Sequence, residues 1–116
     1  MFARLFGLDS ISPADLHHLM QNRPVIVIDV NSPQSWTDAH IPGARNFDPV
    51  GYHEQDLPAD KNATLVFYCS NFLCRKAPNA ARRAKQMGYR NVRIMSAGIS
   101  GWLSAGLPAE SGETPR

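Results

Sequence analysis

Short, continuous apolar runs alternate along the chain with segments whose apolar residues recur at helical spacing. The runs Val25–Ile28 and Thr64–Tyr68 are rich in β-branched and aromatic residues and have the length of strands. Because polar residues do not alternate within them, they are typical of strands buried on both faces of a parallel sheet. Weaker strand patterns cover residues 45–47 and 92–95.

Serine–proline pairs mark the starts of two predicted helices. In the first, Ser12-Pro13 supplies the cap and the first-turn proline, Asp15 completes a capping box, and the helix is expected to end near Asn22. The pair Ser32-Pro33 repeats the signal and predicts a brief helix through Trp36.

A longer helix is predicted over about residues 77–87. Pro78 is tolerated in its first turn, and Gly88 is a typical C-terminal stop. We expect its small residues to form the buried stripe and its arginines to face solvent. The stripe comprises Ala77, Ala80, Ala81, Ala84 and Met87. After the strand over 92–95, Gly98 is predicted to turn into a last short helix near Trp102.

Strands that alternate with helices at short spacing predict an α/β fold whose parallel sheet is covered on both faces. In open sheets of this kind, functional sites lie outside the carboxyl ends of the strands. Asp29 and Cys69 stand at the ends of the two strongest strand patterns. We therefore expect the site to lie at this edge of the sheet.

The length of 116 residues and an apolar content of 43% predict one domain with a single core. That domain is expected to span residues 10–110, between an N-terminal segment (1–9) that packs on or precedes it and a flexible tail (111–116). No apolar run is long enough for an integral membrane segment. The first residues lack the long hydrophobic region of a secretory signal, so we expect a cytoplasmic location.

Positive charge is concentrated in one part of the chain, although the net charge is only +2. Seven of the twelve basic residues fall between 75 and 93, where there is no acidic residue. The positive electrostatic field of such a cluster favours small anionic substrates or an acidic protein partner. Aromatic residues are not interleaved with these positions, which argues against nucleic-acid binding. A monomer is the simplest expectation.

Two cysteines are too few for a disulfide framework, and no Cys/His cluster has metal-ligand spacing, so no metal and no cofactor is predicted. Cys69 stands between a buried strand and a helix start, where amide N–H groups, the helix dipole, Arg75 and Lys76 would stabilise a thiolate. A thiolate is the nucleophilic form of cysteine. The alternative is a small buried side chain at a strand end.

The loop after Cys69 is the predicted active loop, consisting of Ser70, Asn71, Phe72, Leu73, Cys74 and Arg75. An arginine six residues after a cysteine allows the loop to wrap around a tetrahedral oxyanion, but Arg75 could equally be a solvated charge at the helix start. Cys74 reaches Cys69 only if the loop curls. It would then resolve an oxidised or persulfidated Cys69 by thiol exchange, whereas packing as a small side chain is slightly favoured.

Asp29 and His40 are possible auxiliary residues. Asp29 could act as a general acid or base, but a cap for the following turn is the more frequent role at such a position. His40 likewise could transfer protons, although a hydrogen-bonded structural histidine is favoured.

Several separate motifs, in order over about residues 10 to 109, resemble the rhodanese-like domains. They are Val27–Val30 with Ser32, Pro33 and Trp36; Ala39–Ala44 with Asn46; Val66–Cys69; Met87–Val92; Ala97–Trp102; and Ala105–Pro108. The resemblance implies a three-layer sandwich, in which helices flank both faces of a central five-stranded parallel sheet. It also implies a cysteine, here Cys69, that becomes a persulfide.

The chain departs from the family pattern in three places. Asn31 replaces a common arginine, Ser35 replaces an acidic residue, and the active loop is longer than the common form and lacks its central glycine. The spacing from Cys69 to Arg75 also resembles dual-specificity phosphatases and arsenate reductases of the same fold.

Three hypotheses follow. The first, which is favoured, is a sulfurtransferase that moves a sulfane sulfur from thiosulfate or a similar small anionic donor, through a persulfide on Cys69, to a thiol, cyanide or protein acceptor. The second is a cysteine-dependent phosphatase or arsenate reductase that clamps its oxyanion with Arg75. The third is a non-catalytic module that binds a partner through its basic helix.

Overall fold

A continuous parallel sheet forms the centre of the structure, a computed structural model that describes residues 8–112. Its five strands are β1 (Asp9–Ser10), β2 (Ile26–Asp29), β3 (Arg45–Asn46), β4 (Thr64–Tyr68) and β5 (Asn91–Ile94). Their order across the sheet is β1-β5-β4-β2-β3, and every neighbouring pair is parallel. The predicted α/β fold with a central five-stranded parallel sheet is thereby confirmed.

The helices of the described chain are α1 (Pro13–Asn22), α2 (Pro33–Asp38), α3 (Lys76–Gln86) and α4 (Gly98–Ser104), with a 3-10 turn at Glu54–Asp56. Both serine–proline signals mark true helix starts. The hydroxyl of Ser12 accepts the amide N–H of Asp15 at 3.1 Å, and that of Ser32 accepts the N–H of Ser35 at 3.2 Å. These bonds satisfy amides that the first turn of a helix leaves without partners.

Two apolar clusters cover the two faces of the sheet, because successive side chains of a strand point to opposite sides. Along β4, Leu65 and Phe67 belong to the cluster that also contains the alanines of α3. Val66 and Tyr68 belong to the opposite cluster, which contains Leu16 of α1 and Trp102 of α4. Cys69 continues the first series and lies on the α3 face.

The structure adds elements that the sequence patterns did not predict. β1 has only two residues, both exposed, and pairs with β5 through Asp9–Arg93 and Ser10–Ile94. Leu8, within the predicted N-terminal segment, is buried in the α3-side cluster. Residues 1–7 and 113–116, which hold the rest of that segment and most of the predicted tail, lie outside the described residues. No helix within residues 8–112 is long and apolar enough to span a bilayer.

One expectation for α3 was wrong. Its alanines are buried as predicted, but the arginines do not all face solvent. The guanidinium of Arg83 lies over the ring of Tyr52, 4.5 Å from the ring centroid, and its Nη1 atom is buried. A planar cation that is weakly hydrated can cover an aromatic face in this way, so Arg83 seals the edge of the core.

Candidate active site

Cys69 follows β4 directly and is 3% exposed. Its neighbour across the sheet is the chain that leaves β2, where the N–H of Val30 donates to the carbonyl of Tyr68 at 3.0 Å. On the α3 face, Cys69 shares its apolar cluster with Val30 and with Ala77 from the first turn of α3. The sulfur therefore lies at the carboxyl edge of the sheet, beside a helix start, as the sequence predicted.

Cys69 and the first residue of the active loop, Ser70, are held by α4. The carbonyl of Cys69 accepts the N–H of Ile99 at 2.9 Å, and the carbonyl of Ser70 accepts the N–H of Ser100 at 3.0 Å. This contact requires a glycine at position 98, where φ is +67° and an added Cβ would lie 2.4 Å from the carbonyl carbon of Ser70. The sequence marked Gly98 only as a turn, because nothing local indicates which distant backbone it approaches.

A tight turn then folds the loop back on itself. The carbonyl of Asn71 accepts the N–H of Cys74 at 3.1 Å, and its side-chain Oδ1 accepts the N–H of Leu73 at 2.9 Å. Asparagine commonly initiates such turns, because its side chain replaces a missing backbone acceptor. The turn brings Cys74 over Cys69, and their Cα atoms are 6.4 Å apart.

Cys69 and Cys74 form a disulfide bond. The sequence left two roles open for Cys74 and slightly favoured simple packing, and the structure shows instead that the loop curls far enough to join the two sulfurs. Cys74 is half-buried and also packs against the α3-side cluster. The structure therefore shows the loop in its oxidised form, with the sulfur of Cys69 covered.

The loop retains hydrogen-bond donors that the protein itself does not use. Within the part of the chain that the structure describes, the N–H groups of Ser70, Asn71 and Phe72 donate to no protein acceptor. Arg75 and Lys76, both exposed, follow at the start of α3. Unused amides, a helix start and two cations favour negative charge at this position.

The tip of the loop is apolar and projects into solvent. Phe72 is 70% exposed and Leu73 is 88% exposed. Beside the loop, at the carboxyl ends of β2 and β3, is a cavity of about 370 Å³ whose lining includes Val30, Asn31 and Lys76. Lys76, the first residue of α3, is the part of that helix that lines the cavity.

Asp29 does not join Cys69, although both stand at the carboxyl ends of strong strands. It pairs in register with Tyr68 and points to the opposite face of the sheet. Asp29 is fully buried, and its Oδ1 accepts the N–H of Asn31 at 2.8 Å, which is the turn-capping role that the sequence favoured. Burial raises the pKa of Asp29, and polar contacts with Tyr68 and Asn31 offset part of that rise.

His40 also lies away from the sulfur and is fully buried. Its Nδ1 is 2.6 Å from the carbonyl of Trp36, on whose ring the imidazole stacks at 4.3 Å between centroids. Its Nε2 is 3.7 Å from a carboxylate oxygen of Glu110. The N–H groups of His40 and Glu110 exchange hydrogen bonds with each other's carbonyls, so His40 anchors the segment around Glu110 to the domain.

Among curated proteins, the chain is similar to the thiosulfate sulfurtransferase GlpE of Pseudomonas aeruginosa, with 31% identity over 87% of this chain and 88% of that protein. It is also 31% identical to the HTH-type transcriptional regulator Rv0324 of Mycobacterium tuberculosis, over 90% of this chain. There it spans only 46% of the longer protein. Arsenate reductase 2.2 of rice, Oryza sativa, is 26% identical over 88% of this chain and 87% of that protein.

Among solved structures, a thiosulfate sulfurtransferase from Pseudomonas aeruginosa superposes with a TM-score of 0.81 and 28% identity, and covers 93% of this chain. The chain matches 20% of that protein, which is much longer. The family model of the rhodanese-like domain matches residues 12–105. This range includes the whole active loop and every strand except β1. On this match, and on the parallel sheet that carries Cys69 at its edge, the chain belongs to the family of rhodanese-like domains.

Proposed function

We propose that the protein is a sulfurtransferase in which reduced Cys69 takes a sulfane sulfur from a small anionic donor such as thiosulfate. The observation that carries this proposal is the position of the sulfur of Cys69. It lies at the carboxyl end of β4 and is followed by three amides without protein acceptors and by the basic start of α3. The similarity to the GlpE sulfurtransferase adds support.

In the first half-reaction, the thiolate of Cys69 attacks the outer sulfur of thiosulfate. A new S–S bond forms on Cys69, the S–S bond of thiosulfate breaks, and sulfite leaves with the electron pair. Negative charge moves from Cys69 to the departing sulfite. Donors fixed in place before the reaction stabilise such a charge without reorganisation, and the amides of residues 70–72 are available for that role.

In the second half-reaction, a thiol, cyanide or a protein thiolate takes the outer sulfur from the Cys69 persulfide. The acceptor attacks the outer sulfur, and Cys69 leaves as a thiolate. The cavity lined by Val30, Asn31 and Lys76 includes the first residue of α3, which follows the loop directly, and supports an approach by a small anionic acceptor from that side. The exposed tip at Phe72 and Leu73 supports contact with a protein acceptor.

The cycle needs Cys69 as a free thiol, whereas the disulfide occupies it. The proposal therefore includes a reducing compartment, and we place the protein in the cytoplasm, acting as a monomer. The basic stretch over residues 75–93 supports small anions and acidic protein surfaces as partners.

The test is thiocyanate formation from thiosulfate and cyanide by the pre-reduced protein. Cys69→Ser is expected to abolish turnover, because a serine hydroxyl is not ionised near neutral pH and cannot form a persulfide. The fold of the variant is checked by circular dichroism. Turnover that survives in a folded Cys69→Ser variant would refute the proposal. So would the absence of turnover from both the reduced wild type and the reduced Cys74→Ser variant, which cannot close the disulfide, with several sulfane donors.

A second candidate function is favoured by one observation: Arg75 is the residue immediately before α3, six residues after Cys69, at the end of a loop whose first three amides donate to no protein acceptor. Such a loop suits phosphate or arsenate. The pre-reduced protein would then hydrolyse an aryl phosphate or reduce arsenate, and Arg75→Lys would abolish that activity. If neither oxyanion is turned over, this candidate is eliminated while the sulfurtransferase proposal is unaffected.

A further inference from the structure

Cys69 and Cys74 are the two cysteines of the chain, and the loop is built to bring them together. Their Cα separation of 6.4 Å lies within the range of ordinary disulfides. The proposed sulfurtransferase cycle uses only Cys69. Cys74 is therefore a nucleophilic group at the reaction centre to which that cycle assigns no role.

Both sides of the short segment between the cysteines are anchored. On one side, the carbonyls of Cys69 and Ser70 are bound by the N–H groups of Ile99 and Ser100. On the other, Asn71 closes the turn that ends in Cys74 through two hydrogen bonds, of 2.9 and 3.1 Å. Because the turn depends on these bonds and not on the S–S bond, Cys74 is expected to stay close to Cys69 when both are reduced.

We propose that Cys69 and Cys74 together form a sulfane-sulfur reductase centre, which converts the sulfur accepted on Cys69 into hydrosulfide. This inference rests on the proposed function, since it begins from the Cys69 persulfide. It adds a second product, sulfide, and a second substrate class, a dithiol reductant.

The thiolate of Cys74 attacks the inner sulfur of the Cys69 persulfide, a Cys69–Cys74 bond forms, and the bond to the outer sulfur breaks. The outer sulfur leaves with the electron pair as hydrosulfide, the proton coming from the persulfide or solvent. The two cysteine sulfurs are oxidised to a disulfide, and the sulfane sulfur is reduced. An external dithiol then reduces the disulfide by thiol exchange and restores both thiols.

The closed loop has the structure expected of the product of this step. The disulfide is formed, and Cys69 is 3% exposed in this state. A neighbouring thiol held by the backbone competes strongly with acceptors from solution, because its attack is intramolecular. A protein or thiol acceptor would therefore receive the sulfur only if it reaches the persulfide before Cys74 does.

The experiment is a single turnover without reductant. Fully reduced protein, freed of its reductant by desalting, is mixed with an equal amount of thiosulfate, and released sulfide and the intact protein mass are followed together. The wild type is expected to release one sulfide per chain and to end with the mass of the disulfide, two hydrogens below the reduced chain. Cys74→Ser is expected to keep one added sulfur on Cys69 and to release sulfide about a hundredfold more slowly.

Cys74→Ala is tested in parallel, in case the serine variant does not fold, and Cys69→Ser should neither gain sulfur nor release sulfide. The inference is overturned if the wild type stops at the persulfide with a free Cys74 thiol, or if the Cys74 variants release sulfide at the wild-type rate. If no protein gains or releases sulfur, the proposed function itself is overturned. The two failures are therefore distinguishable.

Discussion

The carbonyl oxygen of Cys69 accepts the amide N–H of Ile99 at 2.9 Å. This bond joins the start of the active loop to the first turn of α4, an element that lies thirty positions later in the sequence and on the opposite face of the sheet from the sulfur. The position of the reactive sulfur therefore depends on how closely α4 can approach the loop, and Gly98 sets that approach.

Replacement of Gly98 by alanine should displace the active loop. The added Cβ would lie 2.4 Å from the carbonyl carbon of Ser70, and the residue would keep a positive φ of +67°. The positive φ costs about 1–2 kcal/mol and the overlap about 1–3 kcal/mol. We expect a lower free energy of unfolding in urea and a fall in thiosulfate turnover that exceeds the loss of folded protein.

Gly106→Ala is the matched control. Gly106 also has a positive φ, +74°, but nothing lies within 4 Å of its added Cβ. Gly106→Ala should lose stability only because alanine is strained at a positive φ, and it should retain its turnover per folded molecule. Equal losses of turnover in the two variants would show that the contact of Gly98 with Ser70 does not position the loop.

The buried carboxyl of Asp29 should give folding stability a distinctive pH dependence. Burial raises its pKa above the ordinary value of 3.8, so the folded state binds a proton more tightly than the unfolded state does. The contribution of the Asp29 carboxyl to folding stability is complete below pH 3.8 and is lost as the pH rises through its raised pKa. Asp29→Asn does not titrate, so its stability relative to the wild type should increase over that pH interval in urea titrations.

The stability of Asp48→Asn relative to the wild type is expected to change with pH in the opposite direction, increasing as the pH falls. Asp48 is exposed, and the N–H groups of Val50 and Gly51 lower its pKa by donating to its Oδ1. Its contribution is present above pH 3.8 and is lost as the pH falls through the lowered pKa. If the stability of Asp29→Asn relative to the wild type does not change with pH, the raised pKa assigned to Asp29 is contradicted.

The cation over the Tyr52 ring should stabilise the fold. The guanidinium of Arg83 lies 4.5 Å from the ring centroid, in a partly buried position. Arg83→Ala is expected to lower the free energy of unfolding by about 1–2 kcal/mol through the lost ring contact and the lost packing of the side-chain stem. Lys76→Ala, an exposed change on the same helix, should remain within about 0.5 kcal/mol of the wild type. Equal effects of the two changes would refute the role given to Arg83.

Oxidation should switch off the sulfurtransferase. A thiol oxidant such as diamide is expected to inactivate the wild type by forming the Cys69–Cys74 bond, and a dithiol should restore full activity. Because Cys74→Ser cannot form this bond, it should be inactivated about tenfold more slowly. Inactivation of both proteins at one rate, followed by equal recovery, would mean that the bond has no protective or inhibitory role.

The main elements of the fold were predictable because their signals are local. Thr64–Tyr68 is a continuous apolar run and coincides with β4, and Ser12 and Ser32 cap the helices that their proline neighbours indicated. β1 was missed, since two exposed residues carry no apolar pattern and pair with β5 only in the tertiary structure.

The candidate site was partly predictable for the same reason. Its place at the end of β4 follows from strand order, but the details depend on long-range contacts. Asp29 is the last residue of β2 and pairs with Tyr68, whereas Cys69 is one residue further along, so the alternation of side chains places Asp29 on the other face. The pairing of Cys74 with Cys69 depends on a turn closed by Asn71, and the sequence showed only that a curled loop would permit it.

The mass of the Cys69 peptide decides whether Cys69 carries the sulfur. Reduced Cys74→Ser protein, which cannot close the disulfide, is treated with thiosulfate, and its peptides are mapped by mass spectrometry without reductant. We expect one additional sulfur atom on the peptide that contains Cys69. An unmodified Cys69 peptide in folded protein, after thiosulfate and other sulfane donors, would contradict this expectation.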